Sequence, residues 1–192
     1  MADELSGRRI AVLATDGFEQ AELEEPAKAL REAGAAVEII APKGGEITGK
    51  HHRKDGKPVK VDRTLAEARA EEYDALVLPG GVVNADDLRL EPKAVQFALH
   101  FYENEKPMAV ICHGPWLLVE ADAVRGRWMT SWPSLRTDLK NAGAIWVDRE
   151  VVVDHGLVTS RKPDDLPAFC AKMIEEFREG RHEILRRRQP AR

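Results

Sequence analysis

Met108-Ala109-Val110-Ile111-Cys112-His113-Gly114-Pro115 is the stretch on which the reading of this chain turns. Four apolar residues without a polar break read as a strand buried on both faces. Glycine and proline directly behind them read as a tight turn into a helix, because proline is tolerated in the first helical turn, where its missing N–H is not needed. Cys112 therefore stands at a strand-to-helix corner, at the mouth of a sheet. The corner has the form of a nucleophile elbow, and free N–H groups opening the next helix favour a thiolate over a thiol. Cys112 is a candidate nucleophile on these grounds.

The same alternation extends on both sides of the corner. Residues 9–14 read as a strand, 21–33 as a helix and 35–40 as a second strand, which makes one βαβ unit. Residues 43–62, with Gly44-Gly45 and Asp55-Gly56, suggest a hairpin excursion with no catalytic part. Further strands are expected at 74–78, 107–111, 151–153 and 157–159, and further helices at 92–104, 115–121, 134–141 and 164–179. Continuous apolar strands alternating with helices predict an α/β fold, a mostly parallel sheet covered on both faces. In such sheets ligands bind outside the carboxyl ends of the strands. Three loops with unusual chemistry converge there: Asp16-Gly17-Phe18-Glu19, Pro79-Gly80-Gly81 and Cys112-His113-Gly114.

Each loop has a bland reading beside a chemical one. Gly80 and Gly81 expose backbone N–H groups without side-chain cover, which suits an oxyanion site, although Pro-Gly-Gly is also ordinary turn punctuation. Glu19 is either one more acid at a helix N-terminus or, if buried, a neutral carboxyl able to donate a hydrogen bond to sulfur. His113 adjoins Cys112 in sequence, but neighbours on a helix point about a hundred degrees apart, so a dyad needs an orienting acid from elsewhere. The loop Asn84-Ala85-Asp86-Asp87 offers two carboxylates, which ordinary capping also explains. Trp116 is placed to wall the pocket, whereas Cys170, at apolar helical spacing, reads as core.

Composition bounds the rest. The chain has 192 residues, 43% hydrophobic and 32% charged, enough for a single domain over residues 8–180 between a flexible 1–7 and a basic 181–192. A net charge of −4 gives no reason to expect nucleic acid. The end of the chain differs locally, with Arg181, Arg186, Arg187, Arg188 and Arg192 against Glu183, and reads as a solvated tail. Two cysteines, an N-terminus without a secretory pattern and no apolar run of about 20 residues predict a cytoplasmic protein that does not enter membranes. His51, His52 and His155 show no metal-ligand spacing, and neither a dinucleotide nor a phosphate-loop motif follows the first strand, so no metal and no cofactor are expected.

Through nearly its full length the chain resembles the PfpI, or intracellular protease I-like, family within the class I glutamine amidotransferase-like superfamily. The resemblance runs through Asp16-Gly17-Phe18-Glu19, Gly49-Lys50, Val61-Asp62, the stretch from Asp74 to Gly81, Leu88-Arg89, Ile111 to Pro115, Asn141-Ala142-Gly143 and Ser160-Arg161. It implies a flavodoxin-like three-layer sandwich, a cysteine on a strained elbow, a protonated glutamate at the sulfur and a homo-oligomer with active sites near subunit contacts. Carried over by position, these roles fall on Cys112 and Glu19, with His113 as the histidine. Asp86 stands nearest the place of an acid supplied by a neighbouring subunit, with Asp87 as the alternative, and the N–H groups of Gly81 and His113 form the oxyanion site. What the resemblance implies for function is a cysteine-dependent hydrolase in a stress response, acting on a small carbonyl or a glycated protein or peptide. Deglycation or aldehyde detoxification is the expected reaction. A cysteine peptidase and an oxidation sensor or chaperone are the alternatives.

Overall fold

Ile10 and Val12 of the first strand pack into one hydrophobic core and Ala11 and Leu13 into another, so β1 (Arg9–Leu13) feeds both faces of the sheet at once. That two-sided burial is what a central parallel strand requires, and it explains the unbroken apolar sequence. The computed structural model describes residues 4–181. After β1 come α1 (Gln20–Glu32), β2 (Ala36–Ala41), the hairpin β3 (Glu46–His51) and β4 (Lys54–Lys60), and the short β5 (Arg63–Thr64). The middle of the chain forms β6 (Ala75–Leu78), α2 (Val82–Arg89), α3 (Pro92–Glu103), β7 (Met108–Ile111) and α4 (Pro115–Glu120). The remainder forms β8 (Trp128–Met129), α5 (Arg136–Asn141), β9 (Ile145–Trp146), β10 (Val151–Asp154), β11 (Leu157–Ser160) and α6 (Leu166–Glu179).

Seven strands make the central sheet in the order β10-β11-β7-β6-β1-β2-β5, parallel throughout except for the antiparallel edge pair β10 and β11. One face packs on α1 and α6 through Leu23, Leu30, Phe169, Met173 and Phe177. The other packs on α3 and α4 through Phe97, Phe101, Leu117 and Leu118, giving the three-layer, flavodoxin-like architecture expected from the sequence. The chain leaves β1 for β2 on one side and later returns through β6 on the other. Strand order thus reverses between β1 and β6, which opens a crevice at their carboxyl ends. The loops at 14–19 and 79–81 border that crevice, and the corner after β7 lies one strand away.

One expectation needs correction, and two local features add to the sequence reading. Residues 84–87 are not a loop but the body of α2, whose buried Asn84, Ala85 and Leu88 recur at helical spacing. Two valines at its start and the Asn and Asp side chains have low helix propensity, which hid it. Residues 4–7 form a turn tied to the domain, with Leu5 fully buried and its N–H donating to the Ala33 carbonyl at 2.9 Å. The region after α4 also pairs Trp128–Met129 with Ile145–Trp146 in a small parallel sheet that the sequence did not announce. Residues 182–192, which hold most of the basic tail, lie outside the described residues. No helix among the described residues is long and apolar enough to cross a membrane.

Candidate active site

Cys112 has φ +62, a left-handed conformation in which a residue with a side chain is held only by its surroundings. Those surroundings are specific. The Cys112 N–H donates to the Ser160 carbonyl of β11 at 3.1 Å, its carbonyl accepts from Trp132 N–H at 2.9 Å, and Gly114 N–H closes the turn on the Ile111 carbonyl at 2.9 Å. Gly114 fits because a Cβ there would meet the Leu78 carbonyl oxygen at 2.8 Å. Pro115 then opens α4. The elbow read from sequence is present, with its thiol turned to the crevice between the loops.

Two backbone N–H groups, those of Gly81 and His113, donate to the sulfur. Gly81 can present its amide because its φ is +92, and a Cβ at that position would lie 2.3 Å from the Gly17 carbonyl oxygen. The Gly80 N–H is directed elsewhere: it donates to Glu22 Oε2 at 2.9 Å, so Gly80 serves the site by holding a carboxyl rather than by facing an oxyanion. Gly80 is also required sterically, since a Cβ would come within 2.4 Å of both Cys112 Cβ and Glu22 Oε2. Asn84, fully buried in the first turn of α2, fixes this loop to β1. Its Nδ2 donates to the carbonyls of Pro79 and Gly80, and its Oδ1 accepts from Thr15 N–H at 2.7 Å.

The carboxyl at the sulfur belongs to Glu22, not to Glu19. Glu22 is fully buried and hydrogen-bonds the thiol, and burial raises its pKa from 4.5 to about 8, with the nearby charge of Glu19 acting in the same direction. Glu22 is therefore mostly protonated at neutral pH. Its Oε1 is a buried oxygen with no hydrogen-bond partner among the described residues. Glu19 sits at the N-cap of α1 and accepts the His52 N–H at 3.0 Å, tying down the β3–β4 hairpin. A signal for Glu22 was available in the sequence, because it falls on the buried stripe with Pro26 and Leu30 at i, i+4 and i+8, whereas Glu19 precedes the helix.

Burial also pushes the Cys112 thiol well above its ordinary range, and an ionised Glu22 would push it further, against the opposing pull of the two amides. Glu22 and Cys112 thus form a buried pair in which a negative charge on either raises the cost of a charge on the other. His113 lies next to this pair, with Nδ1 3.2 Å from Sγ. Burial lowers its pKa from 6.5 to about 4, so the imidazole is neutral near pH 7 and able to take a proton. The ring is held on both sides, edge-on to Trp116 at 5.4 Å and stacked on Trp132 at 6.1 Å between centroids. Trp116 in turn donates Nε1–H to Asp138 Oδ2 at 2.9 Å. The far nitrogen, Nε2, lies 3.4 Å from Ser134 Oγ. Ser134 was not singled out from sequence.

Asp86 and Asp87 are exposed on α2. Cys170 is half-buried on α6 and free, packed at the margin of the core as expected. The described residues contain no cluster of three or more His, Cys, Asp or Glu suited to a metal ion.

Comparison with known proteins places the chain among relatives. The model of the DJ-1/PfpI family matches residues 8–176. YraA of Bacillus subtilis, provisionally named a cysteine protease, is 47% identical over 163 residues, which cover 84% of this chain and 94% of the relative. A Pyrococcus furiosus protein named deglycase PfpI is 44% identical over 167 residues, 87% of this chain and 98% of that one. Among solved structures, Drosophila melanogaster DJ-1beta superimposes with a TM-score of 0.82 at 27% identity, covering 88% of this chain and 90% of the other.

Proposed function

The chain belongs to the DJ-1/PfpI family, and from that membership and the geometry at Cys112 we propose that it is a cysteine-dependent hydrolase that removes methylglyoxal-derived adducts from amines. The observation that carries the reading is the set of groups around one sulfur: a base nitrogen at 3.2 Å, two donating amides and a neutral buried carboxyl.

The steps follow from those groups. Sγ bonds to the carbon that bears the amine as the carbon–nitrogen bond breaks, and the thiol proton passes through His113 Nδ1 to the departing amine, so a charged sulfur need not accumulate in a buried site. The product is a thiohemiacetal beside the adduct's ketone. Transfer of the hydrogen on the sulfur-bearing carbon, as a proton, to the ketone carbon oxidises the first carbon to a thioester and reduces the second to an alcohol, with the negative charge on oxygen met by the N–H groups of Gly81 and His113. Water then cleaves the carbon–sulfur bond and restores the thiol, so the net reaction takes up one water and yields free amine and lactate. The thiol is only 6% exposed, so the site favours a three-carbon unit over an extended peptide backbone. The deglycase name of the Pyrococcus furiosus relative supports the same choice.

The test is incubation of methylglyoxal-treated peptide with wild-type protein and Cys112→Ala. Catalytic release of lactate together with free amine, absent in the variant, is the expected result. Adduct loss that merely tracks spontaneous reversal and aldehyde scavenging would sink the proposal. Cys112-dependent cleavage of unmodified peptide would establish the peptidase reading instead, which the name of YraA favours.

A further inference from the structure

We propose that Gln20 is a positioning residue for the oxyanion site, acting through the β3–β4 hairpin that it pins to the loop at 16–19. The inference rests on the proposed role of the Gly81 amide in that site. It gives the hairpin, read from sequence as having no catalytic part, a share in the geometry at Cys112.

Gln20 is the first residue of α1 and only 1% exposed, low for a side chain that both donates and accepts. Its Oε1 accepts the Lys57 N–H at 2.9 Å, and its Nε2 donates to Glu24 Oε1 at 2.6 Å. The hairpin is shaped to receive it. Its register shifts between Thr48 and Lys50, where Gly56 and Lys57 of β4 stand opposite Gly49 of β3. Such a bulge disrupts the ladder locally, and Gln20 supplies the acceptor that the Lys57 N–H needs. Glycine on both strands makes the room, since a Cβ at Gly49 or Gly56 would lie 2.3 or 2.2 Å from Gln20 Oε1.

From the hairpin the contacts run inward. Thr48 N–H donates to Asp16 Oδ1 at 2.7 Å, and Gly17 N–H donates to the Thr48 carbonyl at 2.8 Å. Lys50 N–H donates to the Phe18 carbonyl at 2.6 Å, and His52 N–H donates to Glu19 Oε2 at 3.0 Å. Every residue from Asp16 to Gln20 is thus bonded to the hairpin. The same loop is the seat of Gly81, where a Cβ would stand 2.3 Å from the Gly17 carbonyl oxygen, 2.8 Å from Glu19 N and 2.9 Å from the Phe18 carbonyl carbon. Glu19 N–H also donates to the Gly80 carbonyl at 3.2 Å. A hairpin out of place therefore moves the surface that aims the Gly81 amide at Sγ.

The experiment compares wild type, Gln20→Ala and Gly56→Ala, with folding followed by circular dichroism and assembly by size exclusion. Amide hydrogen exchange and the pH midpoint of iodoacetamide labelling at Cys112 are read on the same samples, and neither needs substrate. The Gly81 N–H lowers the pKa of the thiol, so its withdrawal should raise the midpoint. Gln20→Ala should lose exchange protection over residues 47–58 and over 79–82, and its midpoint should move up. Gly56→Ala keeps Gln20 but sets a methyl where Oε1 lies, so the same changes are expected from it. Added to Gln20→Ala, the Gly56→Ala change should have little further effect, because both act on one contact. In the adduct assay Gln20→Ala should lose about tenfold in kcat with little change in KM. An unchanged midpoint in folded Gln20→Ala, additive effects of the two changes, or a shift that appears only with altered assembly would overturn the assignment. Should Gln20→Ala fail to fold, the midpoint of Gly56→Ala decides in the same way. A wild-type protein inactive on the adduct, with the midpoint still dependent on Gln20, would refute the proposed reaction and keep the positioning role.

Discussion

Gly80 donates its backbone N–H to Glu22 Oε2 at 2.9 Å, so the loop that places the Gly81 amide on the Cys112 sulfur also anchors the carboxyl beside it. Loop, carboxyl and thiol form one mechanical unit. Disturbance of any member is transmitted to the other two.

Glu22→Gln keeps the shape of the side chain and removes its charge. An ionised Glu22 raises the thiol's pKa, so the variant should ionise Cys112 at lower pH. The pH midpoint of iodoacetamide labelling at Cys112 should move down in Glu22→Gln and stay in place in Glu19→Gln. Glu19→Ala should show its effect in the hairpin, as faster proteolysis near residues 51–54, because it removes the oxygen that accepts the His52 N–H. A labelling shift in Glu19→Gln alone would return the catalytic carboxyl to the position first read from sequence.

Folding stability should fall with pH in a window set by Glu22. Its folded pKa of about 8 exceeds the ordinary 4.5, so above the lower value the unfolded chain releases a proton that the folded chain retains. That contribution is full below about pH 4.5 and lost as pH rises toward about 8. His113 has the opposite sign: its folded pKa is about 4, so its contribution is present above 6.5 and lost on acidification. Between pH 6.5 and 8 only the Glu22 effect operates of these two. Urea midpoints of wild type should decline across that interval relative to Glu22→Gln, by on the order of 1–2 kcal/mol.

Gly80→Ala should abolish Cys112 reactivity even where the protein folds. The added methyl would sit 2.4 Å from Cys112 Cβ and from Glu22 Oε2, so the thiol or the carboxyl must leave its place. Labelling rate and adduct turnover should fall together. Retention of both would mean that the loop does not position the sulfur.

Asn84→Ala should be among the more destabilising changes outside the apolar core. It leaves the half-buried Thr15 N–H and the buried Pro79 carbonyl without their side-chain partner, while the Gly80 carbonyl keeps the Glu19 N–H at 3.2 Å. Unpaired buried groups cost about 1–3 kcal/mol each, and a loss of about 3 kcal/mol in denaturant unfolding is expected, with weaker turnover because the Gly80-Gly81 loop is released.

The central strands were legible because each is buried on both faces and therefore wholly apolar, and Cys112 was legible because glycine and proline mark the corner behind it. The partner carboxyl was misplaced for a physical reason. Glu19 and Glu22 are both acids at the start of α1, and three residues of helix separate an N-cap that binds a hairpin amide from a side chain turned into the core. Helical phase distinguishes them, and loop motif does not. Ser134 was illegible because its contact with His113 joins residues 21 apart through a 3-10 turn with no pattern of its own. Helix α2 was hidden by local propensity, which the packing of Ala85 and Leu88 overrides.

Left-handed backbone at Cys112, one of five such non-glycine positions, sets a buried thiol on a hinge that glycine would occupy more easily. A glycine would relax that hinge by roughly 1–2 kcal/mol, so selection for a sturdier protein and selection for a working thiol pull this position in opposite directions.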